Sequence, residues 1–210
     1  MPEHARNKEQ AILDAAEREF LTKGFDGART TSIAQAAGVT HAMLHYYFRT
    51  KEKIFERILD EKMRLMGESV LTAFGSPGLP LSERLRQGIE NHFDFVAANP
   101  DLPRFLVNEV FARPERYEAM RQRIRWIMNP LLADLQRELD EAAARGEADP
   151  ADALMLLLDV ISLNVFPFLA YPVLEPLLGD LAGDRTRFFA QRKAENLEVI
   201  RKRLLKTPQR

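Results

Sequence analysis

The chain has 210 residues, enough to bury a sizeable core without covalent staples. It contains no cysteine, which excludes disulfide frameworks, thiolate metal sites and cysteine nucleophiles and fits a reducing cytoplasmic location. Thirty basic against thirty-one acidic residues leave a net charge of −1, so any surface for a polyanion must be local.

Alanine and leucine supply 53 residues against 26 for valine, isoleucine and threonine together, which predicts an all-α fold. From the polar start, Met1 to Arg6, no secretory signal is expected. A first helix is expected from Arg6 to Thr22, with Ile12, Ala16 and Phe20 four apart and Gly24 just past its end. Short helices follow over Arg29 to Ala37 and His41 to Tyr47. Thr50 is the expected cap of a fourth, reaching Ala73 along Ile54, Ile58, Leu65 and Val70. Glu61 and Lys62 interrupt that stripe, so its middle is expected to be less deeply buried.

Of twelve prolines only Pro2 precedes residue 77. Gly75-Ser76-Pro77-Gly78-Leu79-Pro80 therefore separates a proline-poor head from a larger body. The expected organisation is a three-helix head (1–50), a connecting helix (51–76) and a helical body (77–210), about nine helices in all. In the body, helices are expected over Leu81 to Ala98, Leu102 to Phe111 and Glu115 to Met128, with Pro114 at a first helical position. Asn129-Pro130 should kink or restart the last of these, which then continues to Arg145. Two more are expected, from Ala151 to Ala170 and from an Asp184 cap to Leu205. Leu154 to Tyr171 is apolar nearly all round. As a membrane span it would place Asp159 in lipid, at about 2.5–3.5 kcal/mol. A helix covered by its own body and by a partner subunit avoids that cost.

Residues 30 to 49 read TTSIAQAAGVTHAMLHYYFR. Ala34 permits close helix approach, Gly38 allows a positive φ at the turn, Val39 and Leu44 plug inward, and Thr40 caps the next helix. That is the steric logic of a helix-turn-helix, whose second helix protrudes into a major groove. His41, Ala42 and His45 lie on its outward early turns. An imidazole can donate to a guanine acceptor or a phosphate, and the Ala42 methyl can meet a thymine methyl. Tyr46 and Tyr47 offer hydroxyls to the backbone. Thr50 and Lys51 form a phosphate clamp at a helix start, with Arg29 and Thr30 for the opposite strand. His41 and His45 have metal-ligand spacing, but no third ligand stands near, so no metal is expected.

These residues carry a family resemblance. Ile12-Leu13, Ala15-Ala16, Phe20, Gly24-Phe25 and IAQAAGVTHAMLHYYFRTKEKIF, from Ile33 to Phe55, resemble the DNA-binding head of TetR/AcrR transcriptional regulators. Many members place threonine or serine where this chain has Ala28, so the usual cap of the second helix is missing, with Asp26, Gly27 or Thr30 as substitutes. The resemblance implies repression at an operator and release by an effector in the body that moves the fourth helix.

One head reads one half-site weakly, so two heads on a symmetric dimer are expected on a palindrome. Its contacts fall to the helices near 151–170 and 184–205. A small apolar or amphipathic effector is what the resemblance implies. The candidate lining is His92, Phe95, Phe105, Asn108, Trp126, Asn164 and Phe168, and the same residues read equally well as core. No catalytic set, cofactor loop or metal cluster is legible. Rival readings are an activator or effector-independent regulator of this fold, a helical enzyme, and a helical protein-binding adaptor.

Overall fold

A computed structural model describes residues 3–74, 78–111 and 114–204. The breaker at Gly75, Ser76 and Pro77, and the expected helix end at Leu205, lie outside the described residues. Nine α-helices and no strand occur among them: α1 (Glu3–Gly27), α2 (Thr30–Ala36), α3 (His41–Tyr47), α4 (Lys51–Phe74), α5 (Leu81–Ala98), α6 (Leu102–Leu106), α7 (Pro114–Ala144), α8 (Ala153–Leu174) and α9 (Arg185–Leu204). A π-helical turn, Val107–Phe111, continues α6, and two short 3-10 turns separate α8 from α9.

The chain folds as two units, Met1–Leu65 with Phe105–Pro114, and Met66–Arg104 with Glu115–Arg210. The division falls inside α4, near the Glu61-Lys62 interruption and not at the breaker after it. Residues 105–114 return to the head, which no local signal announces.

The head closes on Ile12, Ala16, Phe20, Ile33, Leu44 and Ile54, all almost fully buried. Phe20, Phe25 and Phe55 pack with ring centroids 5.1–5.9 Å apart, and Phe105 joins Phe55 at 5.6 Å. Lys62 pairs with Glu17 at 2.7 Å, so the polar break in α4's stripe ties it to α1.

In the body, Val70, Phe74, Leu85, Ile89, Leu135, Leu139, Leu156 and Ile200 form one core. Phe93, Phe168, Tyr171, Phe188 and Phe189 form a second cluster. Gly88 leaves a notch for Phe74; a Cβ there would lie 2.4 Å from the ring. The Phe74 carbonyl, at the end of α4, accepts from buried Arg84 Nε at 2.5 Å.

One expectation about proline changes and another holds. α7 runs unbroken through Pro130, where Trp126, Asn129 and Pro130 are all exposed, so water can serve the carbonyl that the missing N–H abandons. α8 runs through Pro167, which is buried. There the freed carbonyl belongs to Leu163, and Asn196 Nδ2 of α9 donates to it at 2.8 Å. A side chain replaces the lost helical bond, so the helix continues.

By length and composition α8 could cross a membrane. One side packs into the body through Leu156, Leu157, Val160, Asn164, Phe168 and Tyr171, while Leu154, Met155, Leu158, Phe166 and Val173 are exposed.

Candidate nucleic-acid interface

The turn between α2 and α3 is built as its residues require. Gly38 adopts φ +64°, where an L side chain is strained, and nothing lies within 4 Å of a Cβ added there. The constraint is conformational and not one of space. Val39 N donates back to the Ala34 carbonyl at 3.0 Å, and Thr40 Oγ1 accepts from Met43 N at 3.2 Å, capping α3. Leu44 is fully buried and Phe48 nearly so, which fixes α3 by its inner side.

Its other side is open. His41, Ala42, His45 and Tyr46 are exposed and Tyr47 is half-buried. Tyr46, 80% exposed, stands edge-on to Tyr47. His41 Nε2 lies 3.0 Å from Thr30 Oγ1, tying the start of α3 to the start of α2. His45 Nδ1 donates to the Arg49 carbonyl at 3.1 Å, and the two imidazoles meet edge to face at 4.4 Å. The structure therefore brings Thr30, His41, Ala42, His45 and Tyr46 together around one protruding helix.

Thr50 caps α4 by accepting from Lys53 N at 3.3 Å, and the Glu52 carboxyl beside it is held low by its own N–H and by the Thr50 hydroxyl. Lys51 is placed differently from the clamp expected of it. Its ammonium donates to the carbonyls of Phe25 (2.8 Å) and Ala28 (3.2 Å) and lies 4.5 Å over the Phe25 ring. It closes the end of α1, beyond the break at Gly24 (φ +69°). Two of its three N–H donors are thus used inside the head.

Ala28 is buried, and the N-cap of α2 is Arg29, whose side chain makes no capping bond. Glu19 of α1 offers a carboxylate oxygen to Arg29 N at 3.5 Å, and its carboxyl is held below the ordinary range chiefly by Lys23. Sequence reading missed Glu19, because the partner lies ten residues upstream across a tertiary contact. It also missed Glu109, a buried residue whose carboxylate accepts from Phe25 N at 3.1 Å. Glu109 comes from the returning segment.

The seven candidate effector residues are divided between the two units. Phe105 and Asn108 belong to the head unit, Phe105 in its core and Asn108 exposed. Trp126 is 82% exposed. Asn164 is fully buried: its Nδ2 donates to the Ile89 carbonyl at 2.9 Å and faces His92 Nδ1 at 3.2 Å, and its Oδ1 accepts from Asn196 at 3.0 Å. Burial pushes the His92 imidazole down to about 4. Phe95 is half-buried against the second aromatic cluster. Of the seven, Phe168 lines a cleft of about 410 Å³, with Phe93, Phe189, Arg185 and Lys193. Among the described residues no group of three His, Cys, Asp or Glu is placed to hold a metal.

Two family models match the chain. One, described as bacterial regulatory proteins of the tetR family, covers residues 12–58, and the other, a tetracyclin repressor-like C-terminal domain, covers residues 82–200. The HTH-type transcriptional regulator RutR of Escherichia coli (strain K12) is 28% identical over 203 residues, 92% of this chain and 88% of that protein. The uncharacterized HTH-type transcriptional regulator YdgC of Bacillus subtilis (strain 168) is 32% identical over 94 residues, 43% of this chain and 48% of that protein. Among solved structures, AibR in complex with isovaleryl coenzyme A and operator DNA has a TM-score of 0.60 at 20% identity, covering 77% of this chain and 85% of that one.

Proposed function

The chain belongs to the TetR family of bacterial regulatory proteins and is a DNA-binding transcriptional regulator, and from that premise we propose that it represses from a palindromic operator and is released by a small apolar or amphipathic effector. The observation that carries the reading is α3: anchored by Leu44, capped by Thr40 and turned outward with His41, Ala42, His45 and Tyr46 exposed. A short helix held from inside and polar outside is what enters a major groove. Thr30, Tyr47, Thr50 and Arg29 flank that face as backbone contacts, and Lys51 acts by positioning α1 against α4.

The working unit is a cytoplasmic homodimer. The exposed apolar side of α8, with α9 beside it, is the contact, because five large apolar side chains on one helix face call for cover. α4 carries residues of both units, 51–65 in the head and 66–74 in the body, so a body that binds an effector has a continuous helix through which to act. The acyl thioester bound by AibR makes isovaleryl coenzyme A a rational first probe. A coupling of about 1–3 kcal/mol, ordinary for allostery, changes operator affinity some 5–150-fold.

Selection of bound duplexes from a random pool tests the reading. The expected product is a palindrome whose half-site centres lie about 34–36 Å apart or a multiple of that. A protein that stays monomeric and retains no duplex would end it. Titrating the selected operator with and without acyl-coenzyme A thioesters then tests release.

A further inference from the structure

A neutral imidazole carries a hydrogen on one ring nitrogen and a lone pair on the other. A carbonyl oxygen only accepts, so the 3.1 Å contact between His45 Nδ1 and the Arg49 carbonyl places the hydrogen on Nδ1. Nε2 is left with its lone pair, on an exposed residue of the protruding helix. Turning the ring over would set a carbon against the carbonyl and forfeit the bond. The ring is also held by its neighbour: His41 meets it edge to face at 4.4 Å, and His41 is itself tied through Nε2 to the Thr30 hydroxyl at 3.0 Å. Both histidines thus spend one nitrogen inside the head, and His45 does so in the way that determines which group it shows to DNA.

We propose that His45 reads the operator as a hydrogen-bond acceptor, taking a hydrogen at Nε2 from an exocyclic amino group in the major groove. The amino groups available there are N4 of cytosine and N6 of adenine. Guanine, which offers only N7 and O6 acceptors in that groove, is disfavoured opposite this nitrogen. The polarity is the reverse of the donating imidazole expected from residue type alone. It follows from one backbone carbonyl four residues on, not from the helix position. The inference rests on α3 being the reading helix, and its test separates the two.

Duplex selection is carried out with the wild-type protein and with His45→Ala and His45→Arg, whose dimer mass and melting temperature are checked first. One base pair in each half-site is expected to show at least about a fivefold preference in the wild type. His45→Ala flattens that preference, and His45→Arg, which only donates, moves it to guanine. A C·G pair presents both an amino group and guanine acceptors, so single atoms are then removed from the duplex. Replacing cytosine by 2-pyrimidinone, or adenine by purine, deletes the amino group alone and distinguishes the two bases. A 7-deazapurine deletes N7 alone. Loss of the amino group should weaken the wild type about five- to tenfold and leave His45→Ala unaffected, while the 7-deaza duplex binds both equally. The inference is overturned if N7 removal weakens the wild type and amino removal does not. It is equally overturned if a folded His45→Ala dimer selects the same half-site as the wild type. A wild-type protein that selects no duplex overturns the recognition helix along with it.

Discussion

The polar side chains around α3 face outward on bonds kept within the helix-turn-helix: Thr40 to Met43, His45 to Arg49, Thr30 to His41. In the body a buried set of polar side chains faces inward and joins helices far apart in sequence. Arg84 of α5 holds the Phe74 carbonyl and pairs with Asp134 and Glu138 of α7, and Asn164 of α8 links α5 to Asn196 of α9. Local bonds leave a face free for a partner; long-range bonds consume the polar groups that make them. The first arrangement builds a reading surface and the second a frame, although both begin as polar residues on helices.

Removing a long-range brace should therefore cost most. The Arg84 side chain is fully buried, with Nη2 3.0 Å from Asp134 and Nη1 facing Glu138 as an ion pair without hydrogen-bond geometry. Arg84→Leu strips the end of α4 of its carbonyl partner and takes the buried cation from Glu138, while Asp134 keeps Arg137. A loss of about 3 kcal/mol is expected from urea unfolding. A shift of a few tenths would mean that the guanidinium does not hold the frame.

His92 gives an effect nearly as large, but only in acid. Asn164 Nδ2 faces its Nδ1, an arrangement suited to a neutral ring, and burial lowers its pKa to about 4 from 6.5. The unfolded chain binds the proton first as pH falls. Stability from the neutral ring is complete above about pH 6.5 and is lost towards pH 4 at about 1.4 kcal/mol per unit. His92→Gln lacks this term, so the difference between wild type and variant should change by about 2–3 kcal/mol between pH 7 and pH 4.5, in the direction of the variant. Parallel pH profiles would show His92 to be solvated.

The same contrast explains what could be read in advance. α3 falls over His41–Tyr47 as expected, because its start, turn and plug are all local: Thr40, Gly38 and Leu44. The expected helix from Ala151 to Ala170 already runs through Pro167; what was not legible is the group that serves the freed carbonyl, because Asn196 lies twenty-nine residues on. Nor was the bond from Glu19 to the uncapped start of α2, or the return of Glu109 to Phe25. Asn164 and His92 were legible as polar residues among aromatics. That they satisfy one another was not, since periodicity gives a residue's face but not what meets it.

At the turn the effect is smaller and of another kind. Gly38 has open space around its Cα, so Gly38→Ala adds no clash and costs only the left-handed conformation, about 1–2 kcal/mol. Because the strain sits between α2 and α3, operator affinity should fall by more than that stability loss alone accounts for, measured on protein still fully folded. Unchanged affinity would mean that the turn does not set the angle of α3.

Lys51 gives the smallest expected effect and separates the two kinds of polar group within the head itself. Its ammonium is held by the Phe25 and Ala28 carbonyls, whereas Arg49, two residues earlier, is exposed. A cation that neutralises a phosphate releases counterions, and its loss lowers the slope of log affinity against log salt by about 0.9. Arg49→Met should therefore flatten the salt dependence by about one unit per subunit. Lys51→Met should cost about 1 kcal/mol of stability and weaken binding by displacing α1, with the slope unchanged. If Lys51→Met flattens the slope instead, the ammonium leaves its carbonyls for the phosphate, and Lys51 belongs to the reading surface after all.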